Sequence, residues 1–236
     1  MNDLKISGAG SFGGGEFKDV RISGSGRVNG DISCQSFSAS GAARVEGSIK
    51  CDSFGASGSV RVNGGVECTG VMRSSGAAAI NGNVRTDELR SSGALKIGKN
   101  LDAKTIRSSG ALKVSGDVSA EYARMTGGTS ISGLLNAEHV DISFGEGNGL
   151  DVGAIGGGRI EIKSSLGGGG WFRRLSGSCG HVTSIEADKV EIENIRAETV
   201  RAIDCVIGDR CVIDTVEYSG TLTVSERATV KNIVKL

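Results

Sequence analysis

The sequence predicts an all-β protein in which short strands stack as a three-sided β-solenoid of about 17 residues per coil. The first observation is a Ser/Thr-Gly dipeptide that recurs every 17 or 18 residues. The second is a set of apolar columns that alternate with polar residues at the two-residue period of a strand. The third is a composition of 39 glycines and no proline, which suits tight corners between strands that donate hydrogen bonds.

The regular repeat defines a first region, residues 1–142. Its dipeptide glycines are Gly24, Gly41, Gly58, Gly76, Gly93, Gly110 and Gly127. Five residues after each Ser or Thr stands an apolar residue, as at Val28, Val45 and Val62, which we expect to point inward. A further glycine column is predicted at corners that need a positive φ or a close backbone approach. Its members are Gly30, Gly47, Gly64, Gly82, Gly116 and Gly133.

Two further regions follow the regular repeat. Residues 143–181 are predicted to form an irregular Gly-rich coil and loop, with one strand at Ile160 and Ile162. The alternation returns in residues 182–236 in units of ten to eleven residues. We interpret these units as C-terminal coils of the solenoid.

Composition excludes several classes of protein. Lys and Arg together number 27, as do Asp and Glu, so the balance gives no reason to expect a nucleic-acid partner. No apolar run reaches the ~18 residues of a membrane span. The first residues show no basic segment followed by an apolar one, so we expect no secretory signal and a cytoplasmic location with reduced thiols.

The motifs that often carry chemistry favour a structural interpretation here. A G-x-G-x-x-G pattern at Gly8–Gly13 and a near-P-loop at Gly93–Asn100 both fall on repeat units, and no helical period follows them. His139 and His181 have neither metal spacing nor a nucleophile nearby in sequence. An acyltransferase role for His139 and glycoside cleavage by paired carboxylates are the enzymatic alternatives. We therefore predict a protein that is not an enzyme, with no catalytic residue, cofactor or metal.

Cys34, Cys51 and Cys68 are spaced 17 residues apart and should stack in one inward column. Small residues continue that column, so we interpret these cysteines as small hydrophobes. Metal binding is the alternative, although ligands in a line do not match tetrahedral coordination. Cys205 and Cys211 fit inward positions of the later coils in the same way.

Charged and aromatic residues give the candidate contact surfaces. Residues 20–126 carry 14 basic and 9 acidic residues, whereas residues 127–236 carry 11 and 15. Outward cations form a basic stripe of two columns: Arg27, Arg44, Arg61, Lys96 and Lys113, and Arg73, Arg90, Arg107 and Arg124. The stripe is interpreted as a solvated face that opposes aggregation, with attraction to lipid head groups as the alternative. A loop contact with a partner or membrane is predicted at Trp171, Phe172, Arg173 and Arg174.

The copies of the repeat, which are separated by glycines and contain V-x-G-x-V/I cores, resemble the bactofilins, which are bacterial polymer-forming cytoskeletal proteins. Residues 184–190 and 206–218 resemble the C-terminal part of bactofilin-like proteins from Bacillus-type bacteria. The resemblance implies a right-handed β-helix, assembly without nucleotide, a scaffold role, and in some members attachment to membranes or a link to envelope and motility proteins. The chain departs from the family plan because it lacks Pro-rich tails and carries the Gly-rich loop near 164–181.

The residues predict assembly independently of that resemblance. A solenoid has unpaired strand edges at both ends, and no helical period here predicts a cap. We therefore expect a cytoskeletal scaffold that self-assembles end to end into nucleotide-independent filaments. The candidate polymer interface comprises Leu4, Ile6, Leu222, Val224, Val230 and Ile233. The alternative is a monomeric binding module that uses the basic stripe for an anionic partner or a membrane surface.

Overall fold

A computed structural model describes residues 2–145, 148–165 and 179–236. Every regular element in these ranges is a β-strand, and consecutive coils pair through parallel ladders. The predicted all-β solenoid is therefore confirmed, whereas the right-handed sense of the coil stays a prediction. The chain divides into two compact units, Met1–Gly116 and Asp117–Leu236.

Residues 2–116 of the first unit, all of which the structure describes, form twelve strands. They are β1 (Asn2–Ile6), β2 (Ala9–Ile22), β3 (Ser25–Ala39), β4 (Ala42–Val45), β5 (Ile49–Ala56), β6 (Ser59–Val62), β7 (Val66–Ser74), β8 (Ala77–Ile80), β9 (Val84–Ser91), β10 (Ala94–Ile97), β11 (Leu101–Ser108) and β12 (Ala111–Val114). From β4 onward, four-residue strands alternate with strands of eight or nine residues. Each strand pairs with the equivalent strand of the next coil, as β4 does with β6 and β5 with β7.

The burial pattern shows three runs of inward side chains in a coil. In the coil of β4 and β5 the inward residues are Ala43 and Val45, then Ile49 and Cys51, then Phe54 and Ala56. Two exposed residues in succession, Asp52 and Ser53, mark the corner within β5. The single 18-residue interval of the repeat is absorbed at this same corner in β7. The register of β5 with β7 shifts between Cys51 and Phe54, and the register of β7 with β9 shifts between Cys68 and Val71.

Close backbone approach, rather than a positive φ, explains most of the repeated glycines. In the Ser/Thr-Gly column, a Cβ built on Gly93 would lie 1.9 Å from the carbonyl oxygen of Gly76 in the coil before it. No side chain can occupy that space. In the corner column, Gly30 has φ of +124°, whereas Gly47 is needed because its Cβ would lie 2.5 Å from the backbone carbonyl carbon of Gly30.

The described residues of the second unit, which exclude 146–147 and 166–178, form eight strands. They are β13 (Val118–Met125), β14 (Thr129–Gly145), β15 (Leu150–Ser165), β16 (Gly180–Ile192), β17 (Ile195–Ile207), β18 (Val212–Tyr218), β19 (Leu222–Val224) and β20 (Thr229–Lys235). The predicted strand at Ile160 and Ile162 is part of β15, whose residues 150–165 pair with β14 and, in part, with β16.

The predicted ten- to eleven-residue units of the C-terminal region are wrong. The pairings give coils of 15 to 17 residues, as in Ile185↔Val200, Val200↔Val216 and Val216↔Ile233. The shorter interval appears in the sequence because inward residues on successive sides are five apart, as at Ile185 and Val190. Two sides therefore span ten residues, and a third side is needed to complete the coil.

Candidate functional site

The first column of cations lies along one face of the first unit, and we call it the basic column. Its residues are Arg27, Arg44, Arg61, Lys96 and Lys113. The strand register brings these residues side by side, in the order Arg27, Arg44, Arg61, Ala79, Lys96 and Lys113. Five coil steps at ~4.8 Å make the column about 24 Å long. Ala79 interrupts the column, a break that the sequence prediction did not include.

A second outward column of small residues runs beside the basic column. Its members are Ser25, Ala42, Ser59, Ala77, Ala94 and Ala111. The two columns line an open groove of about 640 Å³, which we call the basic groove. The groove exists because four-residue strands have only two outward positions, and one of these is always Ser or Ala. The cations of this groove were predicted from the sequence, whereas the column of small residues beside them was not.

Glu46 neutralises one end of the basic column. Its Oε1 atom lies 2.7 Å from Arg44 Nε and 3.7 Å from Arg27 Nε. Asn63 Nδ2 donates a hydrogen bond to the other carboxylate oxygen. Within the part of the chain that the structure describes, the remaining cations Arg61, Lys96 and Lys113 have no carboxylate within 4.0 Å and are exposed. One end of the basic column is thus already paired with a carboxylate, whereas the cations at the other end are available to bind one.

The second predicted column is more fully compensated. Arg73, Arg90 and Arg107 lie side by side, and Glu88 is 2.7 Å from Arg90 Nε and 3.2 Å from Arg107 Nη1. The hydrogen bond from Arg90 holds the pKa of the Glu88 carboxyl below its ordinary value, with the charges of nearby arginines acting in the same direction. Arg124 pairs with Asp141 at 3.3 Å. This column offers less free positive charge than the basic column does.

The predicted polymer-interface residues differ in burial. Leu4 and Ile6 are buried against β2, whereas Ile233 in β20 is 53 % exposed. Leu222, Val224 and Val230 are half-buried. Phe12 was not predicted from the sequence; it is 38 % exposed although it pairs in register with the fully buried Val28.

The cysteine column forms as predicted, since Cys51 pairs in register with both Cys34 and Cys68. All three are buried free thiols. Burial raises the pKa of Cys34 to about 11. The pKa of Cys51 is also raised, first because its thiol hydrogen-bonds Cys68 and second because it is buried. The described residues contain no group of three His, Cys, Asp or Glu side chains arranged to hold a metal ion.

The remaining candidates lie apart from the groove. His139 and His181 are both exposed on strands of the second unit. The G-x-G-x-x-G pattern lies within β2 from Ala9 onward, and the near-P-loop contains β10, so both are strand segments. The predicted loop contact at Trp171, Phe172, Arg173 and Arg174 lies outside the described residues. In the part of the chain that is described, no helix is long and apolar enough to cross a membrane.

Short parallel strands, stacked inward columns and glycine corners place the protein in the class of parallel β-solenoids. Residues 2–100 match the family model "Bactofilin: Polymer-forming cytoskeletal". Residues 2–100 are therefore similar to the bactofilin family, and the resemblance inferred from the sequence is confirmed over these residues. The family is structural and cytoskeletal rather than enzymatic in character.

One curated relative adds a local similarity. The chain is 46 % identical over 52 residues to an uncharacterized protein, YhbE, of Bacillus subtilis (strain 168). The matched segment is 22 % of this chain and 22 % of the relative. No solved structure matches the chain.

Proposed function

We propose that this protein is a cytoskeletal scaffold whose copies assemble end to end into filaments without ATP or GTP. The bactofilin match supports a structural, polymer-forming role. Neither glycine motif opens a helix, so neither offers the helix N-terminus that phosphate binding uses. The cytoplasm is the proposed location, and further copies of the chain are the proposed main partners. A membrane surface and envelope or motility proteins are additional partners that this proposal leaves as predictions.

The observation that carries the proposal is the exposure of inward-column side chains in the first and last coils. Phe12 is 38 % exposed, although Val28 and Val45 in its column are fully buried. Ile233 is 53 % exposed, although Val216 in its column is fully buried. A further coil stacked on either position would bury these apolar groups, which is favourable by roughly 25 cal/mol per Å². It would also pair strand edges that are otherwise templates for association.

The experiment compares wild-type protein with Ile233→Lys, Val230→Lys and Phe12→Lys by sedimentation velocity, with far-UV circular dichroism to monitor folding. Wild type should form large assemblies in the absence of nucleotide, and the lysine variants should form short soluble species with an unchanged spectrum. A lysine in such a contact would have to be desolvated without a partner. Ile203→Lys is the matched control, because Ile203 is 49 % exposed on an outward face of the second unit.

The single variants also distinguish the two possible polarities. If unlike ends join, both Phe12→Lys and Ile233→Lys should stop growth at monomers, and a mixture of the two should form dimers. If like ends join, each single variant should stop at dimers held by its unmodified end. Assemblies that persist in every end variant but shorten in Ile203→Lys would contradict the end-to-end proposal. A monomer that polymerises only after nucleotide is added would contradict the nucleotide-independent part.

The second candidate function is a monomeric binding module, and the basic groove is the observation that favours it. In that case, wild-type protein should sediment as a sharp monomer at high concentration. The groove is compatible with either candidate, because it lies on a side face of the first unit.

A further inference from the structure

We propose that the basic groove binds an extended acidic peptide segment of a partner protein, with its carboxylates on the basic column and its backbone over the small column. The unpaired cations of this site, Arg61, Lys96 and Lys113, lie on other strands than Phe12 and Ile233, and the proposal does not depend on filament formation. It is carried by the shape of the groove, the uncompensated cations along one wall, and the carboxylate of Glu46 at one end.

The shape of the groove favours a narrow chain over a flat surface. Its floor contains the small side chains of Ala77, Ala94 and Ala111, and its volume is about 640 Å³. A bilayer surface could contact the long cationic side chains but would leave this partly apolar floor unfilled. An extended peptide is narrow enough to lie on the floor and bury it, as ligands do in other concave, partly apolar sites.

The charge pattern favours carboxylates as the anionic groups. Glu46 shows the arrangement within the chain itself, since its carboxylate lies between Arg27 and Arg44 and is 2.7 Å from Arg44 Nε. Arg61, Lys96 and Lys113 continue the same column without such a partner among the described residues. Unscreened like charges stacked on adjacent strands repel one another, so a ligand that brings carboxylates relieves an existing repulsion. Glu46 in turn disfavours extension of an acidic ligand to Arg27 and Arg44.

The dimensions define the probe. Arg61 and Lys113 are three coil steps apart, or about 14 Å. An extended peptide rises ~3.4 Å per residue, so about five residues cover this distance and a probe of about ten residues covers the whole groove. A fluorescent peptide in which Glu alternates with Ser supplies carboxylates on one side of the strand. The same peptide with Gln in place of Glu is the matched neutral control.

Fluorescence anisotropy with the full chain provides the first test. The Glu peptide should bind and be displaced by high salt, and the Gln peptide should not bind. Lys96→Ala combined with Lys113→Ala should weaken binding roughly tenfold, the effect of losing two exposed ion pairs. Lys18→Ala combined with Lys99→Ala is the control that removes the same charge from positions outside the groove, and it should bind like wild type.

A charge-neutral variant tests the groove itself. Ala94→Leu fills the floor at an exposed position without altering the basic column, and it should abolish peptide binding while leaving the circular dichroism spectrum unchanged. Binding to phosphatidylserine vesicles that is insensitive to Ala94→Leu, with no binding of the Glu peptide, would overturn the proposal in favour of a lipid surface. A different result would favour contact between copies of the chain and overturn the proposal: wild type does not bind the Glu peptide, and Lys96→Ala/Lys113→Ala no longer forms the large assemblies that wild type forms.

Discussion

Replacement of Val62 by Asp places a charge in a column that is fully buried. Val62 is 0 % exposed and lies in register between Val45 and Ile80, which are themselves 0 % and 1 % exposed. Both neighbours are aliphatic, so the new carboxylate gains no cation or hydrogen-bond donor from its column. Arg61 is adjacent in the chain but points outward, because successive side chains of a strand face opposite sides.

The expected loss of stability has two parts. Removing a buried valine side chain costs about 1.5–3 kcal/mol of hydrophobic burial. Burying an unpaired carboxylate costs several kcal/mol more, even after relaxation and water penetration. The sum is on the order of 5 kcal/mol, which is comparable to the whole stability of a marginal domain. Val62→Ala, which introduces no charge, should cost only about 2 kcal/mol.

Urea unfolding monitored by far-UV circular dichroism gives the measurement. We expect a large fall in the midpoint for Val62→Asp and a change within about 0.5 kcal/mol for Arg61→Ala, an exposed residue without an ion pair among those described. Burial raises the pKa of the introduced carboxyl, so protonation favours the folded form and the deficit should shrink as pH falls toward about 4. Equal losses in Val62→Asp and Arg61→Ala would refute the assignment of inward and outward faces.

Further outcomes follow from the glycine column, the Glu88 ion pair and the exposed thiol. Gly93→Ala should destabilise the protein strongly in thermal unfolding, because its Cβ would lie 1.9 Å from the carbonyl oxygen of Gly76, and a melting temperature equal to wild type would refute this close approach. The pKa of Glu88 is lowered, first by the hydrogen bond from Arg90. The ionised carboxylate therefore stabilises the folded protein at neutral pH, and this stabilisation is lost as pH falls through the lowered pKa. Carboxyl NMR titration and the acid unfolding of Glu88→Gln test this expectation. Cys179 is the exposed cysteine among the described residues, so Cys179→Ser should remove the fast phase of thiol labelling, although burial of its sulfur raises its pKa and slows that phase at neutral pH.

The sequence predicted the regular coils well because one physical requirement repeats in every copy. Val45 and Val62 face the same dry interior one coil apart, so the 17-residue interval and the inward residues could be identified together. The predicted spacing of the C-terminal coils was wrong because each side of a coil spans five residues. Two sides therefore resemble a ten-residue repeat unit when the partner strand is unknown. The first basic column was predicted by residue, but its partial neutralisation by Glu46 depends on side-chain geometry that the linear sequence does not contain.

The basic groove could not be predicted from composition or charge. It arises because Ala and Ser recur at the outward position next to the cations, and such residues carry no signal of function when taken singly. Phe12 was missed for a related reason. Its position follows the inward pattern of Val28, and only the neighbouring coils reveal that it is left exposed.

The coils accommodate additional residues at their corners, and this property makes the fold suitable as a scaffold for engineered insertions. One additional residue at the corner of β7 leaves the next coil in register, as Met72↔Leu89 shows. In the second unit, β15 and β16 also pair in register, with Val152 opposite Val182 and Ile162 opposite Ile192. Corners therefore tolerate additions that strand interiors would not. An epitope tag inserted at the corner of β7, between Cys68 and Val71, should be carried by every copy of the protein without disturbing the ladders on either side.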